Sequence, residues 1–396
     1  MQKSHQIKLN PTVRQRKLFA QACGVKRKSY NWGLTVWSEL LKLGVKTSAT
    51  SLIKMQNGIK KTEYPYFLSV SKTAPQYALW DLENAFKKYF KGKSNFPNFK
   101  KKGKSIDSFV AVESKNQFSQ SDFKIHIPRV GKVKCFENLR FEGKVNSVTV
   151  KRIANDWFAV VQIDSNDIPK VSKSQATLGI DLGIKTMIVC SDGSIYENPK
   201  ALKKALRGIK RSHRSLNRKQ KGSINRRKQQ KRLAVKHQRV ANIRLNAIHQ
   251  ATSDIVNKGY GKVVIEGLNV SGMIKNRNLS QALLDVSFGE ISRQLAYKCQ
   301  WSGIELVKAD RWFPSSKICS GCGNKKETLK LSERTYNCES CGLKIDRDLN
   351  AAINLANYSP TPSIGESKVC GEVVESYLIR GGSKKQKIKI FCNSLV

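Results

Sequence analysis

Hydrophobic positions change period several times along this chain, and each change marks a new element. Residues 1–10 (MQKSHQIKLN) predict a short strand. Over residues 11–90 the spacing turns helical. Tyr30, Leu34, Trp37 and Leu41 form one apolar stripe, and Ala78, Leu82, Ala85 and Tyr89 form another. Both read as helix-bundle core, although Lys87, Lys88, Tyr89, Phe90 and Lys91 could still meet a phosphate backbone. Alternating or apolar strands follow at KIHI (124–127), VNSVTV (145–150) and WFAVVQI (157–163), separated by turn signals at Gly131, Gly143 and Asn155–Asp156. They predict a small β-barrel or sheet over 95–165, which the N-terminal strand can join, with the helices as an insertion. DSNDIPKVSKSQ (164–175) is polar, contains Pro169 and reads as a linker.

The second half alternates strands with helices, the pattern of a mixed α/β fold. TLGIDLGIKTMIVC (177–190) reads as strand, bend, strand. Residues 198–258 predict a long helical hairpin turning at Gly222–Ser223. Ala234, Ala241, Ile248 and Ile255, with Leu245 beside them, mark its packed face. KVVIEGL (262–268) is a strand, VSFGEISRQLAYKCQWSG (286–303) a helix ended by glycine, IELVKAD (304–310) a strand, and DRDLNAAINLANY (346–358) a helix. The tail, 359–396, is mixed, ends in basic KKQKIKI and is expected to be poorly ordered.

Charge changes this picture most. The 396 residues carry a formal net charge of +44. Self-repulsion on that scale calls for a polyanionic partner, and nucleic acid is the obvious one. No run approaches the roughly 18 apolar residues of a spanning helix, so no membrane partner is expected. MQKSHQIKLN has no charged-then-apolar signal, so a cytoplasmic or nucleoid-associated place is expected. The hairpin concentrates the charge. No Asp or Glu lies between Glu197 and Asp254, while Lys and Arg are dense in KRSHRS, NRKQK and NRRKQQKR. A run of one sign repels itself unless a phosphate backbone lies against it.

Four of the ten cysteines are patterned: CSGC (319–322) and CESC (338–341) bracket fifteen residues, and each pair precedes a glycine. Two CxxC turns complete a tetrahedral sulfur site, so Cys319, Cys322, Cys338 and Cys341 are read as ligands of one structural Zn²⁺. Thr328–Tyr336 would supply the ribbon's connecting strands.

Three carboxylates carry the candidate chemistry. Asp181 sits in an apolar strand between glycines, and burying a bare charge is costly. Alone it reads as a strand-end residue; Gly179 and Gly183 beside it would leave room for another backbone, a metal or a phosphate. Glu266 ends an apolar strand in the same way, and Asp348 starts a helix two residues after Asp346. Either aspartate could simply cap that helix. Together, two strand carboxylates and one helical carboxylate suit hard divalent ions. Two Mg²⁺ ions (or Mn²⁺) about 4 Å apart activate water and stabilise the leaving oxygen of a phosphodiester without a His or Ser nucleophile.

GIDLGIKT, VVIEGLNV, FPSSKICSGCG with its second CxxC, and DRDLNAAIN resemble, in order over about 176–358, the split RuvC nuclease motifs of the TnpB family. These bacterial insertion-sequence proteins are relatives of type V CRISPR effectors. KTAPQYALWDLENAFKKYF (72–90) and FPNFKKKG (96–103) resemble the family more loosely. The resemblance implies an RNase H-like (RuvC) core, 171–314 and 345–358, with an inserted zinc ribbon, 315–344. A small β-barrel wedge, 1–10 and 91–170, would precede it and carry a helical-bundle insertion, 11–90. It implies Asp181, Glu266 and Asp348 as catalytic metal ligands; Asp348 directly precedes Leu349-Asn350-Ala351-Ala352, and Asp346 is the reserve. The order Asp, Glu, helical Asp resembles RuvC nucleases, whereas DDE transposases carry a Glu on the helix. The implied activity is Mg²⁺-dependent, RNA-guided DNA cleavage. A nuclease-inactive RNA-guided repressor and a transposase or strand transferase are the alternatives. The implied partners are a guide RNA and duplex DNA with a short flanking motif, bound by a monomer or weak dimer. Lys72 and Gln76 match the helix that reads the flanking duplex. The hairpin would lie along the heteroduplex, through Lys210, Arg211, Arg214, Arg218, Arg226, Arg227, Lys231 and Arg232.

Overall fold

The structure, a computed structural model, describes residues 1–112, 120–121, 123–167, 174–330 and 332–359. Residues 168–173 of the 164–175 linker and all of the tail beyond 359 therefore lie outside the described residues. Among those described, no helix is long and apolar enough to cross a membrane.

Strand β1 (Gln2–Asn10) leads into α1 (Val13–Lys42) through a capping box. The Thr12 hydroxyl accepts from the Gln15 backbone N–H at 3.3 Å, and the Gln15 amide oxygen accepts from the Thr12 N–H at 3.0 Å. Helices α2 (Ala49–Ile59) and α3 (Thr73–Phe90) follow, joined by a 3-10 turn at Pro65–Ser69. Tyr30, Leu34 and Trp37 bury against Leu52, Leu79, Leu82 and Phe86. The outer members of the expected stripes run off this core, with Leu41 40% and Tyr89 37% exposed.

Strands β2 (Ser108–Ala111), β3 (Gln120–Ser121), β4 (Lys124–Ile127), β5 (Gly131–Cys135), β6 (Lys144–Ile153) and β7 (Asp156–Asp164) join β1 in one antiparallel sheet. Its order is β2-β6-β7-β1-β5-β4-β3. The N-terminal strand is thus central, paired with β7 from Gln2 opposite Asp164 to Leu9 opposite Trp157. Ile7, Phe109, Val150 and Val161 fill the concave face, and Phe19 and Ala22 of α1 pack onto them. Helix α1 therefore serves two cores, the sheet at its start and the bundle at its end.

A second sheet holds β8 (Thr177–Asp181), β9 (Thr186–Cys190) and β10 (Ile195–Glu197), then β11 (Lys262–Ile265) and β12 (Glu305–Lys308). Its order is β10-β9-β8-β11-β12; the first three are antiparallel and the last three parallel. Between β10 and β11 stand α4 (Ala201–Asn217) and α5 (Ile224–Asn257). The short α6 (Val270–Ile274) and α7 (Arg277–Val286), neither foreseen, lead to α8 (Phe288–Ser302). Ile248 and Ile255 of α5 and Ile291 and Leu295 of α8 cover this sheet's Leu178, Ile180 and Val263. Strands β13 (Thr335–Asn337) and β14 (Lys344–Asp346) then precede α9 (Arg347–Ala356).

Two details differ from expectation. On α5, Leu233 and Val240 are the buried outer residues, packed with Ile209 of α4, while Ala241 is exposed and Leu245 is 40% exposed. A strict seven-residue repeat drifts about 20° per heptad on a straight helix, so the buried row steps by eight between Val240 and Ile248. In the ribbon, only the end of the expected Thr328–Tyr336 is strand, and its partner lies outside that range. Thr335–Asn337 pairs with Lys344–Asp346 from beyond the second cysteine pair, because that knuckle folds the chain back on itself.

Candidate active site and metal centre

The parallel register of β8 and β11 builds the first half of the site. Ile180 pairs with Ile265, so the next residues, Asp181 and Glu266, leave adjacent strands at the same end of the sheet. The third carboxylate arrives on α9, which crosses β8. Gly179 makes that crossing possible: a Cβ there would lie 1.9 Å from the Ala352 carbonyl oxygen and 2.3 Å from the Ala356 nitrogen. Helix backbone rests on strand backbone with no room for a side chain. A Cβ at Gly183 would meet the Thr186 carbonyl oxygen at 2.6 Å. This decides among the alternatives expected for the two glycines. They admit the protein's own backbone rather than a metal or a phosphate.

Asp346 and Asp348 take different parts. Asp346 is the N-cap of α9, and its Oδ1 accepts from the backbone N–H groups of Asp348 at 2.9 Å and Leu349 at 3.1 Å. Asp348, half-buried in the first turn, keeps its carboxylate beside the Arg347 guanidinium at 3.4 Å. Burial, then the negative charges of Glu266 and Asp348, push the Asp181 carboxyl up to about 8, against the pull of Arg347. Burial also pushes Glu266 up. These three residues from distant parts of the sequence thus sit within electrostatic reach. A crowded, partly desolvated carboxylate group suits a divalent cation, which would replace the missing countercharge. Among the described residues no three carboxylates close to the spacing of the thiols below, so the group is broader than a single-point cage.

The four cysteine sulfurs lie within 4.8 Å of one another. Cys319 and Cys341 are 3.6 Å apart, as are Cys322 and Cys338. Tetrahedral Zn–S bonds of about 2.3 Å would separate sulfurs by about 3.8 Å, so the donor set fits zinc. Gly323 and Gly342, at φ +76° and +74°, close the two knuckles by donating to the carbonyls of Cys319 at 2.9 Å and Cys338 at 3.0 Å. Backbone N–H groups of Cys341 and Ser340 draw the Cys338 thiol down to about 6, towards the thiolate that a metal needs. Cys338→Ser is expected to lose about one zinc per chain and lower the melting temperature, read by metal analysis and calorimetry; unchanged metal content would remove the site.

Residues that sequence reasoning passed over hold these parts together. Asn350 and Asn354, four apart on α9 and both buried, grip the first knuckle. The Asn350 amide donates to the Ile318 carbonyl at 2.7 Å and accepts from the Ser320 N–H at 2.9 Å; Asn354 donates to Ser315 and Ile318 carbonyls at 2.8 and 2.7 Å. The signal was present as two asparagines at helical spacing within an apolar stripe. Buried Asp285 of α7 accepts from the Leu202 and Lys203 N–H groups at the start of α4 and from Arg244 of α5, fixing the hairpin's base.

On the hairpin, Lys210, Arg211, Arg214, Arg218, Arg227, Lys231 and Arg232 all face solvent. Arg226 does not: its Nη1 donates to the carbonyls of Leu216 at 2.6 Å and Lys219 at 3.0 Å, locking the turn. Lys72 and Gln76 line a cleft of about 280 Å³ together with Gln56, Lys60 and Arg129.

Comparison with known proteins follows this geometry. The OrfB IS605 family model, described as "Probable transposase", matches residues 160–277. A provisionally named RNA-guided DNA endonuclease of Streptomyces pristinaespiralis is 34% identical over 301 residues, 75% of this chain and 74% of that protein. Another with that provisional name, from Mycobacterium tuberculosis, is 30% identical over 399 residues, covering 90% and 86%. The chain belongs to the TnpB family. A Cas12f1-like TNB domain model matches this TnpB-family chain over 288–355, from α8 through the ribbon into α9. A model described as "Helix-turn-helix domain" matches residues 1–46, where the structure has a strand and one long helix instead. A solved Cas12f1–sgRNA–target DNA complex aligns with TM-score 0.55 at 15% identity, over 90% of this chain and 99% of that one, a likeness of fold.

Proposed function

We propose that the protein is an insertion-sequence-associated, RNA-guided DNA endonuclease in which Asp181, Glu266 and Asp348 hold divalent metal, Mg²⁺ foremost. The observation that supports this reading is that carboxylates from β11 and α9 lie within electrostatic reach of the one ending β8. The sheet order β10-β9-β8-β11-β12, antiparallel then parallel, with a helix across β8, supports an RNase H-like (RuvC) core. Divalent ions bound there would activate a water and stabilise the leaving oxygen. The chain's own part is to hold three carboxylates on rigid elements and keep the site open on one side: each of the three is only partly buried. The relatives' names support RNA guidance, and the +44 charge supports a protein that covers both RNA and DNA.

Purified protein carrying its RNA is expected to cut matched DNA in Mg²⁺, spare mismatched DNA, and stop in EDTA. Tight binding without cutting would favour the non-cleaving repressor; ligated transposon ends would favour a strand transferase. The hairpin makes its own prediction. Arg211→Ala, Arg214→Ala and Arg218→Ala together should lower the slope of log affinity against log salt by about 2 to 3, at roughly 0.9 per lost phosphate contact. An unchanged slope would move the hairpin away from the backbone.

A further inference from the structure

An aromatic patch at the end of α3 is left over by the site above. Tyr89, Phe90, Phe96 and Phe99 are 37, 59, 40 and 55% exposed. The first three form one network, and Phe99 follows three residues after Phe96. Tyr89 contacts Phe90 and Phe96 at ring separations of 5.4 and 5.3 Å, and both phenylalanines lean on Phe86, at 5.9 and 5.4 Å. Phe86 is buried and stacks on Trp37 at 4.7 Å, so Tyr89, Phe90 and Phe96 are rooted in the bundle core. The segment carrying Phe96 and Phe99 is pinned to α1: the Asn31 side chain donates to the Lys100 carbonyl at 3.0 Å and accepts from its N–H at 2.7 Å.

Charge says what covers these rings. Eight lysines and no acidic residue occur between Lys87 and Lys104. Two copies of such a patch would repel each other, so self-association is disfavoured. Rings that take the faces of bases, within a field of cations that takes phosphates, are the surface of single-strand binders. A duplex hides its base faces and would use the lysines alone.

We propose that this patch seats unpaired nucleotides of the RNA the protein carries. The assignment rests on the RNA-guided reading above. RNA is favoured over DNA because neighbouring exposed rings call for a standing cover, and the RNA is the partner present before any target is met.

The test uses the full chain, zinc-loaded and without Mg²⁺, with a labelled twelve-nucleotide oligouridine as probe, a twelve-base-pair RNA duplex and a twelve-nucleotide oligothymidine alongside. Phe90→Ala with Phe99→Ala removes the two most exposed rings. Binding of oligouridine should weaken by about tenfold or more per ring, duplex binding should hold, and ultraviolet crosslinks to the 87–104 segment should disappear. Phe90→Trp with Phe99→Trp should keep both binding and crosslinks. Equal losses on single strand and duplex, loss confined to oligothymidine, or loss of a concentration-dependent dimer would each overturn the proposal. No step requires cleavage, so an inactive nuclease leaves this result readable.

Discussion

Asp181→Asn is expected to abolish cleavage, by about 100-fold at the least, while sparing RNA and DNA binding. Loss of a mere outer-shell partner costs a metal site 10–100-fold, and Asp181 stands at the centre of the group. The same change should stabilise the metal-free protein at alkaline pH. Asp181 is held at about 8 in the fold, against an ordinary value of 3.8. The native state then binds more protons than the unfolded chain between those values, so stability falls as pH rises through that window and is lowest above about 8. The asparagine cannot ionise and removes this slope, worth on the order of a few kcal/mol. Melting in EDTA at pH 6 and pH 9 gives the comparison: the drop between them should be smaller in the variant. Divalent binding should tighten over the same range, because the cation competes with that proton. A variant that still cuts at the normal rate would remove Asp181 from the site.

Gly179→Ala should disable the enzyme without touching a ligand. A single methyl there has nowhere to go but into the α9 backbone. Overpacking of this kind costs about 3 kcal/mol or more where backbone must shift. The helix that moves is the one carrying Asp348 and the two asparagines that grip the ribbon. Cleavage should fall as far as in the Asp181 variant, with a lower melting temperature. Gly24 in α1 provides the control, since nothing lies within 4 Å of its built Cβ. Gly24→Ala should be neutral or stabilise by about 0.5–1 kcal/mol. Full activity in Gly179→Ala would show that the crossing tolerates displacement.

The local chemistry was readable because it is written in residue type and spacing. Cys319, Cys322, Cys338 and Cys341 meet as their CxxC turns demand. Asp181 and Glu266 share the feature of a charge ending an apolar strand, and parallel pairing brings such ends together. What escaped depends on which element packs on which. The row on α5 breaks from its heptad because the helix changes partner midway, from α4 to the sheet. Gly179 invites a ligand when read alone and receives a helix once the fold is seen, while Gly183 receives the start of the next strand. Arg226 looks like every other arginine of the hairpin until the turn beneath it exposes two carbonyls. Asn350, Asn354 and Asp285 are polar residues whose partners lie about 30 to 83 positions away, beyond any local pattern.

The crossing of α9 over β8 is also an interval of time. Asp181 and Asp348 are 167 residues apart (348 − 181). At about 5–20 residues per second of synthesis, the second aspartate is added roughly 8 to 33 s after the first. Through that interval the groove above Gly179 has no helix to receive, and Asp181, joined by Glu266 about halfway through, waits for its third partner. On the proposed assignment, a nascent chain that stops anywhere before α9 is therefore unarmed, however well its earlier parts have folded.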